Sequence, residues 1–283
     1  MIQAIAQKTG GSIRKVCLVL GEARSSFYEA ATPTATQVAD AGMGDLIEAV
    51  FRRHRRRYGY RRLAQELSDR GVTCAPARIR RIMAQRALRA IQPKTFIPKT
   101  SDGRADKPSP NLISGLPLPE APDRAWAGDI TFIPTGAGWL YLAVVIDLCS
   151  RRVIGWSLAT HMRSDLVLDA LLQAIQTRSA RGVIFHSDRG SQYGSTPFRS
   201  ALAEAGLRQS MSTRANPYDN AWTESFIGTL KLEMLQDGCF ENADDARTEI
   251  FEYIEAYYNT HRKHSAIGYK TPSQFEAQIH STN

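Results

Sequence analysis

The chain has 283 residues, of which 43% are hydrophobic and 23% charged, a composition typical of a soluble globular protein and not of a disordered or fibrous one. The longest uncharged apolar run, residues 136–146, is too short to span a membrane, and the N-terminus lacks a secretory pattern, so we expect a cytoplasmic protein without a membrane partner. The four cysteines form no Cys-x-x-Cys pair, which argues against a disulfide framework or a zinc site.

The net charge of +8 is distributed unevenly. Residues 51–100 hold 15 Lys or Arg against Glu66 and Asp69 alone, a local net charge of +13, so the rest of the chain is mildly acidic. A basic module joined to an acidic one is typical of a protein that binds nucleic acid with one part and has a different function in the other. The alternative is a basic face that only contacts solvent.

Residues 1–91 are predicted to be an all-helical region that resembles a helix-turn-helix. Ser12 caps a first helix, Gly21 ends it, and residues 23–30 resume the helix. A second pair comprises residues 59–70 and a helix that begins at Pro76. Short helix pairs also occur in proteins that never bind DNA.

Arginines turn this pattern into a hypothesis of DNA binding. The face of the Pro76 helix opposite its apolar residues carries Arg78, Arg81 and Arg86, which we expect to contact phosphates. DNA affinity is then expected to lie largely in residues 1–90 and to fall steeply with salt.

Residues 92–122 contain seven of the 13 prolines of the chain and are predicted to be an extended linker, because proline fixes φ and removes a backbone donor. After this segment the pattern changes. Three β-rich runs are followed by helix, strand, helix and strand, which predicts an α/β domain with a mixed sheet covered on both faces. Two further helices are predicted over residues 220–235 and 243–260.

Three carboxylates occupy positions typical of an active site in this α/β region. Asp129 lies in the first predicted strand, Asp188 follows the fourth, and Glu224 comes early in a helix. Each of them alone has an ordinary explanation, as a turn former or as a favourable charge in a first helical turn. Only their combination indicates catalysis.

The segments around these acids, residues 126–131, 186–193 and 216–226, resemble the catalytic motifs of retroviral-integrase-like transposases. They are most similar to the second-reading-frame product of the insertion-sequence-three family, in which 35 residues separate the second aspartate from the glutamate and a basic residue, here Lys231, follows seven positions later. The resemblance also covers residues 12–90 and the tail from Tyr257 to Phe275.

This resemblance implies a ribonuclease-H-like core over residues 123–283, with a basic helical tail. It also implies two Mg²⁺ ions, replaceable by Mn²⁺, with Asp129 bridging them and Asp188 and Glu224 each holding one. Lys231 shares a helix face with Glu224 and Gly228, so we expect it to meet a DNA phosphate. A simple surface lysine is the alternative.

The expected activity is cleavage and joining of DNA strands at the terminal repeats of an insertion sequence and at target DNA. The family resemblance further implies a homo-oligomer on DNA and an upstream-frame product, fused or associated, that supplies most of the end recognition. Two rival interpretations are a DNA-binding regulator with a decayed catalytic domain and a nuclease that uses the same metal site without joining strands.

Overall fold

The computed structural model describes residues 2–23, 27, 35–92, 108–179, 181–213, 220–235 and 238–282. The chain separates into two compact units, Met1–Ala90 and Ile91–Asn283. The first contains helices and the second contains the sheet. Among the helices that these ranges include, none is long and apolar enough to cross a membrane.

The helical unit contains five described helices: α1 (Ile2–Thr9), α2 (Ile13–Leu20), α3 (Ala35–Arg53), α4 (Tyr60–Asp69) and α5 (Pro76–Gln85). The predicted cap and stop of α2 are confirmed, because the Ser12 hydroxyl accepts a hydrogen bond from the Lys15 amide and Gly21 adopts a left-handed φ of 69°. The predicted helix over residues 23–30 lies mostly outside the described residues. Helix α3, which was not predicted, packs its buried residues against α4 and α5 around Tyr58, Leu63 and Ile79.

A five-stranded mixed sheet forms the centre of the second unit. Its strands are β1 (Ala125–Thr135), β2 (Gly138–Asp147), β3 (Val153–Ala159), β4 (Ile184–Ser187) and β5 (Arg208–Met211), in the spatial order β3-β2-β1-β4-β5. Strands β1, β2 and β3 form the predicted antiparallel meander, and β4 and β5 extend it in parallel. Strand β1 is therefore central and has a partner on each side.

Helices cover both faces of the sheet, as the apolar patterns predict. Helix α6 (Ser164–Thr177), the short α7 (Ser191–Gly194) and α8 (Thr196–Glu204) lie on one face. Helix α9 (Ala221–Leu235) and the helices that follow it pack on the other. Serine and aspartate are common N-caps, but Ser164 and Asp165 do not cap α6: Arg163 is the N-cap, without a side-chain cap bond, and the Asp165 carboxylate accepts the Leu166 amide inside the first turn.

The predicted helix over residues 243–260 is divided into two types. Helix α10 (Ala243–Phe251) continues as a π-helix (Glu252–Tyr258), followed by a 3₁₀ turn (Ser265–Ile267) and α11 (Pro272–Thr282). The Phe226 ring on α9 meets Tyr258 of the π-helix edge to face, with ring centroids 4.7 Å apart. The C-terminal segment therefore supports α9 from the side that faces the core.

The described part of the proline-rich segment, residues 108–122, contacts strand β5. The Ser109 hydroxyl bonds to the Gln209 side chain at 2.8 Å, and the Leu112 amide donates to the Ser210 hydroxyl at 2.8 Å. The backbone carbonyl of Pro110 also accepts from the Met211 amide. Residues 93–107 lie outside the described ranges, so the predicted limits of the linker stay a prediction.

Candidate active site

Asp129 lies in the middle of the sheet. It lies opposite Val144 of β2. The preceding residue of β1, Gly128, lies opposite Ser187 of β4. The Asp129 carboxylate accepts the amide of Ile130 at 2.8 Å, and the residue is half-buried. Because β1 is hydrogen-bonded on both sides, this acid has a rigid backbone support.

Asp188 is the first residue after β4 and so lies close to the level of Asp129, since the two strands run parallel. Its carboxylate accepts the Gly190 amide at 2.9 Å. The turn is attached to β5, because the guanidinium of Arg189 donates to the Ser212 carbonyl at 2.8 Å. A Cβ at Gly190 would lie 3.0 Å from the Asp188 carboxylate, so glycine lets the turn close around that acid.

Glu224 and Lys231 both lie on helix α9, two turns apart. Glu224 is exposed in the first turn, and Lys231 is half-buried. On the opposite side of the helix, Phe226 and Leu230 are buried against the sheet, as the helical spacing predicts. The part of the motif before Asn220, residues 216–219, lies outside the described ranges.

The electrostatics of Asp129 link the four predicted residues. Burial first, then the charges of Asp188 and Glu224, raise the pKa of Asp129 from 3.8 to about 8, although the Ile130 amide and Lys231 oppose the shift. Burial lowers the pKa of Lys231, and the charge of Asp129 partly restores it. The three acids and the lysine therefore act on one another electrostatically.

Tyr193 on α7 is a residue of this site to which no role was assigned from the sequence, although it ends the second quoted motif. It is fully buried, and burial, then Asp129 and Asp188, raise the pKa of its phenol well above the usual range. A Cβ at Gly128 would lie 3.5 Å from the Tyr193 ring and 2.6 Å from the Phe185 ring. Tyr193 and Phe185 thus form an apolar floor beside the two aspartates.

The donor set suits a hard divalent cation. Carboxylate oxygens are preferred ligands of Mg²⁺, and a cation would relieve the repulsion that raises the pKa of Asp129. Within the described ranges, no three His, Cys, Asp or Glu side chains converge closely enough to enclose one ion.

The arginines predicted to contact DNA in the helical unit pair with acids of α3. Arg78 and Arg81 bind the two oxygens of Asp40 at 2.8 Å and 2.7 Å. Arg86 bonds to Asp45, to Glu48 and to the Ala41 carbonyl. These contacts give all three arginines a structural role between α5 and α3, and their contact with DNA stays a prediction.

Family models match both units. The integrase core domain model matches residues 119–217, a second integrase core domain model matches residues 205–272, and an HTH-like domain model matches residues 37–96. The sheet that carries Asp129 and Asp188 therefore belongs to a ribonuclease-H-like integrase core, as predicted, and the helical unit is HTH-like.

Relatives match almost the whole chain. The transposase for insertion sequence element IS904 of Lactococcus lactis subsp. lactis (strain IL1403) is 42% identical over 245 residues, which cover 86% of this chain and 97% of that protein. Transposase InsF for insertion sequence IS3A of Escherichia coli (strain K12) is 39% identical over 270 residues, 94% of each protein. The HTLV-2 integrase catalytic core domain in complex with magnesium (dimeric form) is a more distant structural match, 21% identical with a TM-score of 0.42, covering 55% of this chain and 97% of that chain.

The second-reading-frame transposases predicted from the motifs are thus the relatives that the full chain matches. The chain belongs to the insertion-sequence-three (IS3) family of transposases, polynucleotidyl transferases with a DDE-type integrase catalytic core.

Proposed function

We propose that Asp129, Asp188 and Glu224 are the catalytic acids and hold two Mg²⁺ ions, for which Mn²⁺ can substitute. The observation that carries this proposal is the placement of Asp129 on β1 and of Asp188 directly after the neighbouring parallel strand β4, and the charges of Asp188 and Glu224 both raise the pKa of Asp129. When bound, two such ions stabilise the attacking and the leaving oxygen of an in-line phosphoryl transfer. The substrate is a DNA phosphodiester at an element end.

The protein groups around the acids have distinct roles in this proposal. Lys231 neutralises a DNA phosphate beside the acids, and its half-buried position strengthens that interaction. The buried ring of Tyr193 excludes water from the floor below Asp129 and Asp188. The space around Gly228, where a Cβ would meet nothing within 4 Å, lets the DNA backbone approach the helix between Glu224 and Lys231.

The partners we propose are the terminal repeats of the element, target DNA and further copies of this chain on DNA. Support comes from the basic charge and the HTH-like match of the helical unit. We also propose an upstream-frame product that supplies most of the end specificity, because phosphate contacts alone do not read sequence. The protein then acts in the cytoplasm, where bacterial DNA lies.

The test is to replace each acid by its amide: Asp129→Asn, Asp188→Asn and Glu224→Gln. Each change removes an anionic ligand and preserves shape, so we expect strand cleavage and joining to be abolished while circular dichroism and thermal unfolding stay close to wild type. The measurement is the yield of nicked and joined products from DNA that carries the element ends, in Mg²⁺ and in Mn²⁺.

The matched control is Asp169→Asn, the same change at an exposed position of α6. It should leave both products unchanged. Substantial joining by any of the three amide variants would remove that residue from the catalytic set. Nicks without joined products in the wild type would indicate a nuclease, and the absence of both even when the upstream-frame product is supplied would indicate a regulator. Running the assay with and without element ends measures the specificity that the chain has by itself.

A further inference from the structure

Most carboxylates of the helical unit, as far as residues 35–92 describe it, are bound by arginines outside the connection between α3 and α4, although Glu66 also lies 3.8 Å from Nε2 of the buried His54 in that connection. Asp40 binds Arg78 and Arg81, Asp45 binds Arg86, and Glu48 binds Arg52 and Arg86. Glu66 binds Arg70, and Asp69 accepts from Gln65. Most of the negative charge of this unit is therefore used at the contact of α3 with α5 and along helix surfaces.

Four arginines that these acids leave uncompensated lie at the end of α3, in the connection to α4 and at the start of α4, and Arg80 on α5 is a further exposed arginine without an ion pair among the described residues. Arg53, Arg55, Arg56 and Arg61 are all exposed, and they lie within nine residues of chain. Among the described residues, no carboxylate forms an ion pair with any of these four. The guanidinium of Arg56 donates to the backbone carbonyl of Arg89, which brings a further exposed arginine to this surface. We call Arg53, Arg55, Arg56, Arg61 and Arg89 the arginine patch.

The backbone of the patch is unusual. Arg55 and Arg56 have consecutive positive φ angles of 49° and 63°, a region in which glycine and asparagine are far more favourable than arginine. The connection is held in this shape from within, because the rings of His54 and Tyr58 stack in parallel with their centroids 3.8 Å apart. Two arginines thus occupy positions where local conformation disfavours them, and strain of this kind is often associated with function.

We propose that the arginine patch, and not the α5 face with Arg78, Arg81 and Arg86, supplies the main phosphate contacts of the helical unit. The partner is duplex DNA, which carries one negative charge per roughly 1.7 Å of axis. This inference rests on the proposed function for the identity of its partner. Arg78, Arg81 and Arg86 already have carboxylate partners. The exposed arginines of the patch form no ion pair with a described carboxylate, and their nearest contacts are the Arg89 carbonyl for Arg56 and the Tyr60 ring for Arg61.

The test compares three charge-matched variants of the full chain, each with two arginines neutralised. The patch variant is Arg55→Asn with Arg61→Gln, in which asparagine suits the positive φ of position 55. The control is Arg52→Gln with Arg70→Gln, two arginines that pair with acids on their own helices. The third, Arg78→Gln with Arg81→Gln, tests the α5 face directly.

Affinity for a short duplex of arbitrary sequence is measured by fluorescence anisotropy in EDTA over a series of salt concentrations, and the thermal midpoint is measured for every variant. We expect the patch variant to lower the slope of log affinity against log salt by about 1.8, or about 0.9 for each lost contact, with its thermal midpoint unchanged or higher. The control and the α5 variant should keep the wild-type slope.

An unchanged slope for the patch variant would overturn the proposal. An equal decrease of the salt slope in the patch and control variants would also overturn the proposal, because it would indicate an effect of net charge alone. A larger loss in the α5 variant, at a wild-type thermal midpoint, would restore the α5 face as the DNA contact. The assay needs no metal, so a failure of strand joining and a failure of patch binding are separate results.

Discussion

At the scale of single residues, two glycines of the candidate site, Gly128 and Gly228, lie next to the proposed catalytic groups for different reasons. Gly128 precedes Asp129 and has no room for a Cβ, because the Phe185 ring would lie 2.6 Å away. Gly228 on α9 is the opposite case, an exposed helical glycine whose added Cβ would contact nothing. Packing explains the first glycine, whereas nothing in the described part of the protein explains the second.

Gly228→Ala is therefore expected to separate stability from activity. A glycine-to-alanine change inside a helix stabilises it by about 0.5–1 kcal/mol. The added methyl group would occupy the space that we assign to DNA between Glu224 and Lys231, so joining should fall. Urea denaturation measures the first effect and the yield of joined product the second. Gly42→Ala, also exposed and unobstructed within α3, is the control: it should stabilise the protein and leave joining unchanged.

At the scale of elements, α9 is fastened to the C-terminal segment by a buried ion pair. Arg262 donates from Nε and from one terminal nitrogen to the Glu233 carboxylate, at 3.0 Å and 2.8 Å, and both side chains are buried. The hydroxyl of Tyr253 donates to the other carboxylate oxygen at 2.9 Å. Such a pair specifies geometry more than it adds stability, because burial of two charges costs solvation energy.

Removing one member of this pair should destabilise the protein strongly. We expect Arg262→Met to lower the free energy of unfolding by about 3–5 kcal/mol, since it leaves the Glu233 charge buried with its main partner gone. The double variant Glu233→Leu/Arg262→Met should recover most of that loss because neither charge remains. Chemical denaturation measures both. A single variant as stable as the wild type would show that water compensates Glu233.

The strands and most helices could be predicted because their signals are local. Runs of β-branched and aromatic residues locate the five strands to within a few residues, and apolar spacing identifies α6 and α9. The π-helix over Glu252–Tyr258 could not be predicted, because its form depends on tertiary packing. Tyr253, Ile254 and Tyr258 pack in the core between the sheet and α9. Helix α3 was missed, and its interior Gly42 and Gly44 weaken the helical pattern.

The same distinction holds for the site. The spacing of Asp129, Asp188 and Glu224 with Lys231 was available in the sequence, and the structure brings their charges together. The partners of Arg78 and Arg86 could not be predicted from the sequence, because they are distant in the chain. Asp40 lies 38 residues before Arg78, and Ala41, whose carbonyl binds Arg86, lies 45 residues before it. Which arginines are compensated is decided by tertiary contacts that local patterns do not contain.

At the scale of the whole second unit, Glu276 joins three distant parts of the chain. Its buried carboxylate on α11 accepts from the Ser150 hydroxyl at 2.7 Å, from Arg152 at 2.8 Å and from Arg178 at 2.8 Å. Ser150 and Arg152 lie between β2 and β3, and Arg178 ends α6. The last helix is thereby tied to the edge of the sheet.

This junction should make stability sensitive to acid. Burial raises the pKa of Glu276, but Ser150, Arg152 and Arg178 outweigh it and leave the pKa below its usual 4.5. Its contribution is therefore complete above about pH 4.5 and is lost as the pH falls through the lowered folded-state value. Burial raises the pKa of nearby Asp147, so its contribution has the opposite sign: protonation of Asp147 at low pH stabilises the folded protein.

Glu276→Gln isolates the first contribution. Between about pH 6 and pH 3, the unfolding free energy of the wild type should fall more steeply than that of this variant, as measured by urea denaturation at each pH. Glu252→Gln, at an exposed position, should follow the wild type. Parallel curves for wild type and Glu276→Gln would mean that Glu276 does not carry the acid sensitivity.

Strand β1 pairs with one strand that is translated directly after it and with another that is translated much later. The site is therefore completed late in synthesis. The pairing of β1 with β2 is complete within a hairpin, but β4 begins 49 residues after β1 ends, and Glu224 lies 95 residues beyond Asp129. At about 5–20 residues per second, a ribosome needs roughly 5–20 s to pass from the first acid to the last. Throughout that interval the nascent chain carries the helical unit and an incomplete set of acids. On the proposed assignment, a chain that is still being translated can therefore hold DNA before its catalytic acids are complete.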